Sequence, residues 1–188
     1  MNVYVDTSVV LRVVFGEPGR LRGWRRIVRP LSSELIRVEC LRTIDRARLT
    51  GVLGDDEVAA AREAVEELLE TFDLVALDRR VLRRASEPLP TTLGTLDAIH
   101  LATATALRAR VPDLRLATHD QALAVAARAV GLAIVSLARE STHATRQHDG
   151  YRAPTFASGY DEVVPSPPDM RTNRRGSSFI AFDGHRSS

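Results

Sequence analysis

The sequence predicts an α/β fold, a parallel sheet with helices on both faces. Three observations carry that reading. Short apolar runs of strand length alternate with segments of helical period over roughly the first 137 residues. The first run, Val3-Tyr4-Val5, is β-branched and aromatic and stops abruptly at Asp6-Thr7-Ser8, as a buried strand does when it reaches a functional edge. A later segment, Thr95-Leu96-Asp97-Ala98-Ile99-His100-Leu101-Ala102-Thr103-Ala104, is apolar almost all round, which marks a buried helix.

Taken in order, Asn2 to Val5 predicts a strand and Thr7 to Phe15 a short helix, with Asp6 placed to cap it. Gly16-Glu17-Pro18-Gly19 stops that helix, and Arg20 to Val28 reads as helical and basic. Pro30 to Ser33 is a short strand. Ser32 or Ser33 is then positioned to cap a helix from Glu34 to about Arg48, with Leu35, Val38, Leu41 and Ile44 along one side. Asp55 is expected to cap the next helix, whose apolar positions Val58, Ala61, Val65, Leu68 and Leu69 keep helical spacing. Leu74 to Leu77 is a strand, Asp78 caps a short arginine-rich helix to Ala85, and a turn-rich loop follows to Gly94. Thr95 opens the buried helix, Leu114 to Thr118 is a strand, Gln121 to Val130 a helix, and Ala133 to Val135 a last strand. This divides the chain into a domain over 1–140 and a low-complexity, disordered tail over 141–188, either an inert extension or a contact for RNA or a partner through its aromatics and arginines.

Composition excludes several chemistries. All 26 basic residues are arginine, so there is no phosphate-loop lysine and no Schiff-base lysine. Cys40 is the only cysteine, which rules out an internal disulfide and a cysteine zinc cluster and suits a reducing cytoplasm. No apolar stretch approaches the ~20 residues of a membrane span, and Asp6 interrupts any secretion-signal pattern. The formal charge is +2, but it is unevenly spread. Arg12 to Arg48 holds ten arginines against four acids, and Leu49 to Asp78 one arginine against nine acids. A basic face beside an acidic pocket suits a polyanion held by its backbone, while solvated helix faces with paired charges are the plainer account.

Four acids fall at strand ends or in the first turns of the helices that follow: Asp6, Glu39, Asp97 and Asp120. Their separations of 33, 58 and 23 residues exclude a local metal loop. The carboxyl ends of parallel strands converge on one edge, so the four are expected to meet there. Oxygen ligands without cysteine favour Mg²⁺, or Mn²⁺, over zinc, and such an ion pair cleaves phosphodiesters. Each acid taken singly has a plainer role. Asp6 and Asp120 cap helices, Asp97 answers a helix dipole, and Glu39 sits at the boundary of an apolar face. The hydroxyls of Thr7, Ser8 and Thr118 are placed to orient the acids or the ion's waters. His100 and His119 flank the group and read as structural.

As a set, Val5-Asp6-Thr7-Ser8, Ser33 with Glu39, Leu96-Asp97-Ala98-Ile99-His100-Leu101-Ala102, and Thr118-His119-Asp120 with Leu123, Ala126-Ala127 and Gly131 resemble the PIN-domain ribonucleases, and among them the VapC-type toxins of bacterial toxin–antitoxin pairs. The resemblance covers about residues 1–137. It implies a PIN-like three-layer α/β/α fold with a five-stranded parallel sheet and a Mg²⁺- or Mn²⁺-dependent endoribonuclease. Asp6, Glu39, Asp97 and Asp120 would be its catalytic, metal-holding acids. It further implies an RNA substrate, a cognate antitoxin and a homodimer. The alternative is a catalytically inactive PIN-like module that binds RNA or antitoxin. A phosphatase or phosphotransferase on a similar sheet would want an acid at position 8, where Ser8 stands, or a lysine, and the chain has neither.

Overall fold

Strand β1 (Asn2–Val5) sends Val3 and Val5 to one face of a sheet and Tyr4 to the other, all three fully buried. A computed structural model of the chain describes residues 1–17 and 24–135. In it β1 lies at the centre of a five-stranded parallel sheet completed by β2 (Arg29–Ser33), β3 (Asp73–Val75), β4 (Arg115–Ala117) and β5 (Ala133–Ile134). The strand order is β3-β2-β1-β4-β5. The chain moves outward from β1 to β2 and β3, then returns to pair β4 on the other side of β1, with Tyr4 opposite Leu116 and Val5 opposite Ala117. That reversal puts the topological switch point, where open α/β sheets bind ligands, between β1 and β4.

Helices cover both faces. Helices α1 (Thr7–Val14), α2 (Leu35–Leu49) and α3 (Asp55–Leu69) close a core of Val3, Val5, Val10, Ile36, Ile44, Val65 and Leu69. On the other face α5 (Thr95–Arg108) and α6 (Gln121–Ala129) close a second core with Tyr4, Leu31, Leu101, Leu107, Leu116 and Leu123. Short α4 (Arg79–Ala85) packs on α5. The expected three-layer α/β/α arrangement is what the chain adopts. Among the described residues no helix is long and apolar enough to cross a membrane.

Several local expectations need correction. Only a 3-10 turn, Trp24–Arg26, stands at the described end of the basic segment expected to be helical from Arg20 to Val28; residues 20–23 of that segment, like the expected tail, fall outside the described residues. The helix cannot continue because Arg29 precedes Pro30 and opens β2, while Val28 N–H donates to Met1 O. Neither serine caps α2. The Ser32 hydroxyl donates to Val5 O, Ser33 Oγ is buried without a partner, and Glu34 is the N-cap residue. The buried stripe of α2 is Ile36, Cys40, Ile44 and Ala47, and Val38 is 56% exposed. The stripe therefore sits one residue round from the Leu35/Val38/Leu41 line, meeting it only at Ile44. Helix α3 starts a residue earlier than expected, with Gly54 at the N-cap, its N–H donating to the Glu57 carboxylate, and Asp55 inside the first turn.

The uneven charge is partly absorbed where α2 meets α3. Arg37 on α2 pairs with Glu66 on α3, and Asp45 takes Arg42 and Arg48 at 2.8 and 3.0 Å. Paired helix surfaces thus account for part of the contrast that suggested a basic face.

Candidate active site

The switch point is built first by Asp6. Its backbone N–H donates to Ala117 O, fastening it to the end of β4, and its side chain caps α1 through Ser8 N–H at 3.3 Å. One carboxylate oxygen, Oδ2, also accepts the Ser8 hydroxyl at 2.6 Å and the Thr118 hydroxyl at 2.9 Å. Oδ1 faces His100 Nε2 at 3.8 Å. Asp6 is thus a cap and a buried, oriented acid at once. Thr118, the first residue past β4, also accepts Asp120 N–H, and Ser8 Oγ accepts His119 N–H, so these two hydroxyls tie the start of α1 to the end of β4.

Glu39 comes from α2, on the opposite side of the sheet edge from α5. Its Oε2 accepts the Thr7 hydroxyl at 2.7 Å and meets His100 Nε2 at 2.6 Å. A carboxylate can only accept, so Nε2 carries the proton of that bond. The other ring nitrogen, Nδ1, lies 2.8 Å from the Tyr4 hydroxyl. Burial opposes charge on the His100 ring. Tyr4, the Glu39 hydrogen bond and the negative charges of Asp6 and Glu39 outweigh it and push the ring up to about 10.

Asp97 occupies the first turn of α5, half-buried, its Oδ2 folded back over Gly94. Burial, then the charges of Asp120, Asp6 and Glu39, push its carboxyl up to about 6, against the opposing pull of His100. Asp97 thus feels the charges of the other three acids. Asp120 is exposed and caps α6 by accepting Leu123 N–H at 2.6 Å. Burial first, then Glu39 and Asp6, also push the neighbouring Cys40 thiol up to about 12, so it is an inert thiol. His119 is held down to about 4 by burial and by Arg12, and its Nε2 is buried without a partner.

Sequence reasoning read His100 as structural and gave Tyr4 no role. The spacing of His100 three residues after Asp97, on the same helix face, was the available signal. Nothing local marks Tyr4, because its partner lies 96 residues away.

The donor set suits a hard divalent cation: carboxylate oxygens, hydroxyls holding them in place, and an Asp97 whose burial and like-charged neighbours raise its proton affinity. Among the described residues, no group of three or more Asp, Glu, His or Cys side chains is placed to hold a metal ion. His100 and the hydroxyls hold Glu39 and Asp6 instead. A Mg²⁺ ion needs only one or two of the carboxylates directly and completes its shell with waters and substrate phosphate.

The chain is similar to known proteins over most of the described residues. The PIN domain family model matches residues 3–129. Ribonuclease VapC46 of Mycobacterium tuberculosis is 37% identical over 138 residues, covering 71% of this chain and 96% of the relative. Ribonuclease VapC35 of the same species is 32% identical over 139 residues, with the same coverage. Among solved structures, VapBC2 from Rickettsia felis bound to a promoter DNA fragment aligns with a TM-score of 0.50 at 11% identity, over 72% of this chain and 98% of that one, a likeness of fold. A central acid-ended strand, its partners at the switch point and these matches place the chain together: it belongs to the PIN-domain family, among its VapC-type members.

Proposed function

We propose that the chain is a divalent-metal-dependent endoribonuclease, the toxin of a toxin–antitoxin pair, working with Mg²⁺ or Mn²⁺ held by Asp6, Asp97, Glu39 and Asp120. The observation that supports this most is geometric: Asp6 and Glu39 converge on His100 at one sheet edge, where Asp97 lies in the first turn of α5 and Asp120 caps α6. Carboxylates gathered at one edge repel, and a cation relieves them. The relatives named ribonucleases supply the substrate class.

Once bound, the ion's chemistry is to activate water and offset charge on the scissile phosphate. The chain's own residues do the positioning. Ser8 and Thr118 fix the Asp6 carboxylate, Thr7 and His100 fix Glu39, and the start of α5 presents Asp97. An antitoxin partner accords with the VapBC assembly whose fold the chain shares. A homodimer and a cytoplasmic location complete the proposal.

The test is purified protein with structured RNAs, with Mn²⁺ and with EDTA. Cleavage is expected with the metal and absent with the chelator. Mn²⁺ at about 100 times its Kd is also expected to stabilise the fold by about 2.7 kcal/mol. Cleavage that persists in EDTA or in Asp6→Asn sinks the proposal. Failure of Mn²⁺ to raise the melting temperature favours the inactive binding module instead.

A further inference from the structure

Apart from the acids themselves, the most unusual feature of the molecule is a hydrogen-bonded chain that crosses the sheet edge from one helical layer to the other. It begins at Tyr4, fully buried on the α5 side of the central strand. It passes through His100, fully buried on α5, with the two rings edge-on at 71° and centroids 5.8 Å apart. It ends at Glu39 on α2, the only member near solvent, where Thr7 adds a second donor.

We propose that Tyr4 and His100 are positioning residues for the proposed metal site, acting through Glu39: the buried tyrosine fixes the imidazole, and the imidazole fixes which carboxylate oxygen faces the ion. This inference rests on the metal-dependent reading above. Three facts support it. Both bonds to Glu39 fall on Oε2, so neither engages Oε1, which keeps its lone pairs for a cation. Asp6 has its three hydrogen-bond donors all on Oδ2, while Oδ1 faces the same His100 Nε2 at 3.8 Å. The one imidazole thus faces both acids nearest the switch point. Moreover, apolar side chains of similar volume commonly replace a buried polar network with no loss of stability. Folding alone gives no reason for three polar groups here, whereas setting a carboxylate's orientation does.

The test uses the full chain and reads Mn²⁺ affinity directly, by calorimetry, beside activity. Tyr4→Phe removes one buried hydroxyl and leaves the acids intact. It is expected to weaken Mn²⁺ binding about tenfold, at the low end of the range for outer partners of metal-holding groups. The Mn²⁺ concentration for half-maximal cleavage is expected to rise equally, with the rate at saturating metal within about twofold of wild type. In a Glu39→Ala background the same substitution is expected to have no further effect, because the relay then has nothing to orient. If Tyr4→Phe does not fold, His100→Leu and His100→Gln replace it. Leu is expected to lose the affinity, and Gln, which keeps an N–H toward Glu39, to recover part of it. Equal Mn²⁺ affinity in wild type and Tyr4→Phe (or His100→Leu) overturns the relay, as does an equal loss with and without Glu39. Wild-type protein that takes up no Mn²⁺ overturns the metal reading and the relay with it, so the two failures are distinguishable.

Discussion

At the residue scale, the four acids have different environments and substitution separates their roles. Asp97 carries a raised pKa, so in the metal-free fold its charge is a cost. Its contribution favours folding below its unfolded pKa, about 4, and is lost as pH rises through about 6. Asp97→Asn is therefore expected to melt higher than wild type at pH 7.5 without metal, with the difference shrinking toward pH 4. Calorimetric scans of both proteins across that range check it, and a constant difference refutes the assignment. His119, held down to about 4, runs the other way: its contribution is present above pH 6.5 and is lost as pH falls through about 4. The two trends oppose in wild type, and only the variant-minus-wild-type difference isolates Asp97. Asp6→Asn is expected to lower cleavage about 100-fold or more, since an ion's stabilisation of the reacting phosphate is several kcal/mol and each 1.4 kcal/mol is tenfold. Single-turnover rates at saturating Mn²⁺ measure it.

At the element scale, the helix starts show what a sequence can and cannot disclose. Asp120 does cap α6, as its position before Gln121 implies, and its carboxylate is also the largest charge acting on Asp97. Asparagine caps as well as aspartate. Asp120→Asn is thus expected to leave stability within about 0.5 kcal/mol while weakening Mn²⁺ binding, whereas Asp120→Ala is expected to cost about 1 kcal/mol as well. Denaturant melts beside metal titrations separate the two roles, and equal metal affinity in Asp120→Asn removes Asp120 from the site. At the other end of α6, Gly131 has φ +80°, and an added Cβ would lie 2.9 Å from the Arg108 guanidinium, which donates to Val130 O. The acids, the strands and most helix spans were legible because each is written locally, as a carboxylate after an apolar run or a 3.6-residue period. The start of α2 was not. Ser32 and Ser33 look like caps, but the sheet claims the first for Val5 O and buries the second. Tyr4 was illegible for the same reason, since its function depends on a side chain brought from α5.

At the scale of the whole molecule, the sheet separates two apolar cores, one with α1, α2 and α3 and one with α5 and α6. Ile44 belongs to the first and Val111 to the second. Ile44→Val and Val111→Ala are each expected to cost about 1–2 kcal/mol, and the double variant their sum to within about 0.5 kcal/mol, because the sites share no partners. Urea melts of the three variants check this, and strong non-additivity would show that the sheet transmits strain between its faces. The parallel order itself was readable from strand–helix alternation. The charge contrast along the chain was not readable as a surface, because α2 and α3 pack together and Arg37 meets Glu66 between them.

The bond from Thr118 to Asp6 joins residues 112 positions apart. During synthesis the first acid of the edge therefore leaves the ribosome long before its anchor. The Asp6 carboxylate waits for the Thr118 hydroxyl until β4 slides in beside β1.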